Sequence, residues 1–129
     1  MDKKYELIPS DVKGLYRVKA LRNFADVKIG DVGGYVESEE NLSQDGDCWV
    51  YDDAKVYDNA KVYDNAKVCD NAEVCDNAEV YGTALVIVNA WVYGNAKVCD
   101  DAFVSDNAKV CGIAKVYGDA WVYDNAKVF

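Results

Sequence analysis

Valine returns at every sixth position from Val50 to Val128 without a miss. Two residues before each valine stands a small residue, Cys48 in the first unit and alanine in every later one, from Ala54 to Ala126. Residues two apart on a strand point to the same side, so alanine and valine share an inner face and the residues flanking each valine face outward. Between units fall pairs such as Asp58-Asn59 and Asp64-Asn65. These residue types tolerate left-handed backbone angles and let a chain turn sharply. The unit is therefore small-x-Val-x-(Asp/Gly)-(Asn/Asp): short strand, corner, short strand, corner. A period of six does not fit the 3.6-residue turn of a helix, and valine with Asp-Asn corners disfavours one. A short repeat of strand and corner reads as a solenoid. Three units close a triangular coil of 18 residues, and residues 47–129 supply about 4.6 such coils.

The first 46 residues differ. KKYELIPSDVKGLYRVKAL (Lys3–Leu21) carries two alternating stretches around the turn-like PSDVKG, the pattern of a β-hairpin. GDVGGYV (Gly30–Val36) looks like a degenerate coil, with its GDVGG explained as turns. Residues 1–46 are thus expected to form a small β-rich cap on an all-β solenoid of residues 47–129, covering a coil end that would otherwise expose unpaired backbone groups. At the other end Phe129 still lies within the repeat, which predicts end-to-end contact or coverage by a partner.

An aliphatic residue with a small one two positions earlier, at six-residue spacing, resembles the hexapeptide-repeat family. The resemblance covers about two-thirds of the chain. It implies a left-handed parallel β-helix, the handedness coming from the family and not from the spacing. Within the family, a leader such as KIGDVGGYVESEENLSQDGDCWVYDDA (Lys28–Ala54) running into VYxNA units looks like the monotonous repeat proteins of bacterial and prophage genomes. The resemblance further implies side-by-side homo-oligomers, commonly trimers. Acyltransferases of the family typically use a histidine as general base between subunits, and its carbonic anhydrases hold zinc with histidines. This chain has no histidine, so neither role carries over.

Sorting the coil into three faces separates the outward positions. On the first face, the residues before each valine are Trp49, Lys67, Leu85, Phe103 and Trp121, and those after it include Ile87 and Tyr123. A soluble monomer rarely leaves so apolar a stripe wet, so this face is expected to meet another copy of the chain. The expected interface comprises Trp49, Leu85, Ile87, Val88, Trp91, Phe103, Trp121 and Phe129. Val88 and Ile113 place apolar residues at corners where turn chemistry prefers polar ones. Tyr63 and Tyr81 fall one coil apart on the third face, where their rings can stack; stacked rings pack a ladder or hold a base or sugar. A small anionic ligand is expected near Tyr63, Tyr81, Tyr93, Lys97, Lys109 and Lys115, or near Arg17, Lys19 and Arg22 of the leader.

Charge narrows the function. The net charge is −9, distributed as −2 over residues 1–46 and −7 over residues 47–129. So acidic a chain is a poor direct binder of nucleic acid, whose phosphates need Lys and Arg. No apolar run is long enough to span a membrane and no signal-like segment precedes the repeats, which points to a cytoplasmic protein. Five cysteines, Cys48, Cys69, Cys75, Cys99 and Cys111, form an odd set without CxxC spacing, read as reduced thiols and not as a zinc site. Stacked corner aspartates such as Asp52 with Asp70 and Asp58 with Asp76 repel unless answered, but calcium needs more ligands than a corner supplies. No nucleophile elbow or phosphate loop stands out. The expectation is a non-catalytic oligomeric binding protein without metal or cofactor, of phage or prophage kind, that sequesters a host ligand or blocks a host protein. An acidic mimic of nucleic acid and a self-assembling structural element are the alternatives.

Overall fold

The computed structural model describes residues 3–129. Strands β1 (Tyr5–Pro9) and β2 (Tyr16–Ala20) pair antiparallel as a hairpin, with Tyr5 opposite Ala20 and Pro9 opposite Tyr16. Its connection is locked by Ser10, whose Oγ accepts from the Val12 amide at 3.1 Å and donates to the Leu15 carbonyl at 2.6 Å. β2 pairs antiparallel with β3 (Val32–Val36), and β3 runs parallel to the rung Lys55–Val56. Beyond that the chain is a ladder of two-residue rungs, each ending on the repeat valine.

The rungs stack in three parallel sheets, one for each predicted face. The first holds Trp49, Lys67, Leu85, Phe103 and Trp121 in five strands, the second has eight strands including the hairpin and β3, and the third has four. The chain is therefore a hexapeptide-repeat β-solenoid of about five turns, capped by a β-hairpin. The hairpin also adds strands to the second sheet, beside β3. Tyr35–Val36 and Leu42 already act as rungs, pairing with Lys55–Val56 and Val62. Gly33 and Gly34 thus lie in a strand and not in a turn. A Cβ on Gly34 would approach the Ala54 carbonyl oxygen to 2.6 Å, so close packing onto the next coil demands glycine there.

The core is one column of alanines and valines. Val56 through Val110 at repeat positions are at most 1% exposed, and Cys48 takes the innermost alanine place. At the corners the aspartates adopt left-handed geometry, with φ 57° at Asp52 and 58° at Asp58. Each such carboxylate accepts a backbone N–H from the coil above: Asp52 from Asp70, Asp58 from Asp76, Asp70 from Val88 and Asp76 from Gly94. The stacked acids are answered by backbone amides. Among the described residues no helix is long and apolar enough to cross a membrane.

Candidate functional site

The first sheet has two halves. At its lower end the chain covers itself. Trp49, expected at an interface, is 2% exposed and lies beneath the leader, with the Tyr5 and Phe24 rings edge-on at 6.0 and 5.2 Å. The leader folds over it, because a large ring on the first coil offers apolar area that a short cap needs. Asp26 of the same loop accepts from the Tyr51 hydroxyl at 2.6 Å and sits 4.0 Å from Lys67 Nζ. Above this seam the face is open. Leu85, Ile87 and Phe103 are half-buried, while Trp121 and Tyr123 are exposed at 68% and 53%. Phe103 and Trp121 meet edge to face at 5.7 Å, a contiguous aromatic surface without a charge at the rung positions.

Val88 flanks this open half at the corner between the first and second sheets. It is held at φ 65°, a conformation that clashes with a β-branched side chain. It also lacks the carboxylate by which a corner aspartate would reach the amide of Asp106 above it. Ile113, at the next corner round the coil, is 81% exposed.

The residues proposed for ligand binding do not gather. Tyr63 and Tyr81 stack at 4.9 Å with planes 1° apart, and Lys97 and Lys115 lie in register on the same third sheet. The Tyr63 hydroxyl donates to Glu79 at 2.7 Å, which turns the pair into a braced ladder. Tyr93 belongs to the second sheet, tilted against Trp91 at 4.6 Å, and Lys109 extends over the other side of that indole at 5.6 Å. Trp91 is only 37% exposed and donates from Nε1 to Cys75 Sγ at 3.2 Å. It therefore stands round the corner from the Trp121 face. Phe129, 82% exposed, lies above Gly112 on the last rung of the second sheet.

Arg17 is engaged within the chain. Its guanidinium donates to the carbonyls of Gly33 and Asp52 at 2.8 and 3.0 Å, to Tyr35 Oη at 2.7 Å and to Asp53 at 2.9 Å. It also stacks on the Tyr35 ring at 4.1 Å. This arginine rivets the hairpin to the coil, and four of its five N–H donors are taken by the chain itself. Arg22 reaches the Gln44 carbonyl at 3.5 Å, and Lys19 is half-buried in β2.

An open acidic groove of about 880 Å³ runs along the corner between the second and third sheets, past Glu37, Glu40, Asp58, Asp76 and Asn95. Ligand atoms of Asp58, Cys75 and Asp76 approach within 4.8 Å of one another there. Both carboxylates are already acceptors in the corner ladder, and Cys75 receives the Trp91 N–H. Burial raises the Cys75 thiol above its ordinary value and pushes that of Cys69 up to about 12, with Asp70 and Asp52 adding to the second. Neither is an activated nucleophile.

Two internal residues had escaped the sequence reading. Asn41 makes four hydrogen bonds inside the first coil, accepting from Glu37 and Ser38 and donating to the carbonyls of Asp58 and Ala60. Lys4 is wholly buried, with Nζ 2.7 Å from the Cys48 carbonyl and 3.3 Å from Cys48 Sγ. In sequence Asn41 sits in a polar ESEENLSQDGD run and Lys4 in a basic start, and neither context signals burial.

No protein-family model matches the chain. Over 38 residues it is 42% identical to the "Uncharacterized acetyltransferase YdcK" of Escherichia coli (strain K12). The match takes in 30% of this chain and 12% of that protein's length.

Proposed function

We propose that this protein is a non-catalytic, oligomeric binding scaffold whose copies associate through the upper half of the first sheet. The observation that carries this reading is the exposed Trp121 and Tyr123 beside half-buried Leu85, Ile87 and Phe103, continuing a column that the chain's own leader buries at Trp49. Charge restricts where two copies can meet. A body of net charge −9 repels its copies over most of its surface, and association concentrates where the rungs carry no charge. A strained valine at the edge of that face fits a corner kept for contact and not for turning.

The name of the Escherichia coli relative raises acetyl transfer as a second reading. Against it stand the absence of histidine from the sequence and thiols held above their ordinary values, so the groups that would take up a proton or attack an acyl carbon are wanting. The cargo in this proposal is a small host ligand held between subunits or a host protein blocked by the assembly, and a prophage source belongs to the same proposal.

Native mass spectrometry on freshly purified protein tests it. A defined oligomer carrying extra mass supports the scaffold and begins to identify the cargo. A bare oligomer supports association and transfers the search to protein targets. A monomer at every concentration overturns the proposal.

A further inference from the structure

Lys4 and Cys48 are an unusual pair to find together in a core. Both are 0% exposed. Lys4 lies just before β1, and Cys48 occupies the interior place that alanine holds in every later unit. Nζ donates to the Cys48 carbonyl at 2.7 Å, to the Gly46 carbonyl at 3.3 Å and to Cys48 Sγ at 3.3 Å, under the face of Phe24 at 5.0 Å. Cys69, Cys75, Cys99 and Cys111 instead follow the repeat valines on the outer side of the coil. The nucleophile within reach of the Cys48 sulfur is therefore the Lys4 amine and not another thiol.

We propose that Lys4 and Cys48 are a covalent modification site, at which peroxide joins Nζ to Sγ and staples the leader to the first coil. Burial raises the Cys48 thiol as it does Cys69 and Cys75, so the step begins when local opening of the leader admits peroxide to the sulfur: an Sγ–O bond forms, the O–O bond breaks and one water leaves. The neutral amine then attacks Sγ. An S–N bond forms, the S–O bond breaks, and the departing hydroxyl takes a proton from nitrogen to leave as a second water. Thiol and amine each lose one hydrogen, and one peroxide becomes two waters. Condensation of a sulfenic acid with a nearby nitrogen is established cysteine chemistry, reversible by thiols. Burial lowers the Lys4 amine below its ordinary value, which favours the neutral, attacking form. The contact to the sulfur already exists, so the fold supplies the proximity the step requires.

The link would close a loop across 44 positions, between the start of the hairpin and the first coil. It would act like a disulfide of the same span, limiting the unfolded chain. The test treats the folded full-length protein with hydrogen peroxide, then reads intact mass and a peptide map. The expected product is lighter by two hydrogens, joins the peptides of Lys4 and Cys48, and reverts with dithiothreitol. It melts at a higher temperature than the reduced protein until dithiothreitol is added. Protein unfolded in urea during the treatment gives no such product. Cys48→Ala, which installs the residue every other unit carries, and Lys4→Arg both abolish it. Recovery of Cys48 as a free thiol, as sulfinic or sulfonic acid beside unmodified Lys4, or in a disulfide would overturn the proposal.

Discussion

Val88 and Asn41 show what single side chains contribute here. Left-handed geometry at a β-branched residue costs on the order of 1–3 kcal/mol. Aspartate at that corner relieves the clash and restores an acceptor for the amide above. Val88→Asp is therefore expected to stabilise the monomer fold by about 1 kcal/mol in urea unfolding. The same change should weaken self-association, because it brings a carboxylate to the rim of the open face. Asn41 works in the opposite sense. Its amide satisfies two carbonyls and two backbone N–H groups that the first coil buries. Asn41→Ala leaves these unpaired, and a loss of about 2–4 kcal/mol in unfolding free energy is expected.

At the scale of the rung, each coil is held by one alanine-valine pair per side, and its neighbours are nearly identical. Stability in such an array is a sum of coils and their interfaces. Val86 stands in the middle of the first sheet at 0% exposure, between Val68 and Val104. Val86→Asp buries an unpaired carboxylate with no acceptor role to play, and circular dichroism is expected to show loss of the middle coils. A melting curve like the parent's would mean that the inner and outer positions are wrongly assigned. The period of six and the small-x-Val spacing made these rungs legible without coordinates, because every unit repeats the same two demands, a filled interior and a left-handed corner. The leader was legible only in part. Its alternating stretches announced the hairpin, but pairing of β3 beneath Lys55–Val56 depends on Gly33 and Gly34 fitting against a coil far along the chain.

The whole molecule adds charge and pH. Burial foremost, with carboxylate contacts from Asp26, Glu73 and Glu79, raises the pKa of Tyr51, Tyr57 and Tyr63, and Cys69 is pushed up to about 12. Groups raised on folding hold more protons folded than unfolded once pH passes their ordinary values. Their stabilisation is complete below that point and declines above it. Lys4, lowered by burial, contributes the opposite slope from the pH at which its folded form sheds the proton up to its ordinary value, where the unfolded form sheds it too. In this alkaline range the raised tyrosines and thiols outnumber Lys4. The melting temperature is expected to fall from about pH 9 upward, the ordinary thiol value, with the tyrosinate absorbance of Tyr51, Tyr57 and Tyr63 appearing only as the fold is lost. Association belongs to the same scale. Trp121→Lys puts a charge in the open face and is expected to dissociate the oligomer, as read by light scattering after size exclusion. An unchanged mass would show that copies meet elsewhere.

Period, inner column, corner chemistry and the three faces were determined by the sequence itself, because in a repeat each residue's surroundings are further copies of the same local pattern. Which parts of a face remain open was decided by tertiary structure. The leader covers Trp49 and leaves Trp121 bare, engages Arg17 between hairpin and coil, and lowers Lys4 onto Cys48. Each of these contacts joins a leader residue, outside the repeat, to a part of the chain distant in sequence. No spacing rule reaches such pairs; they follow from how a cap of one shape settles on a coil of another.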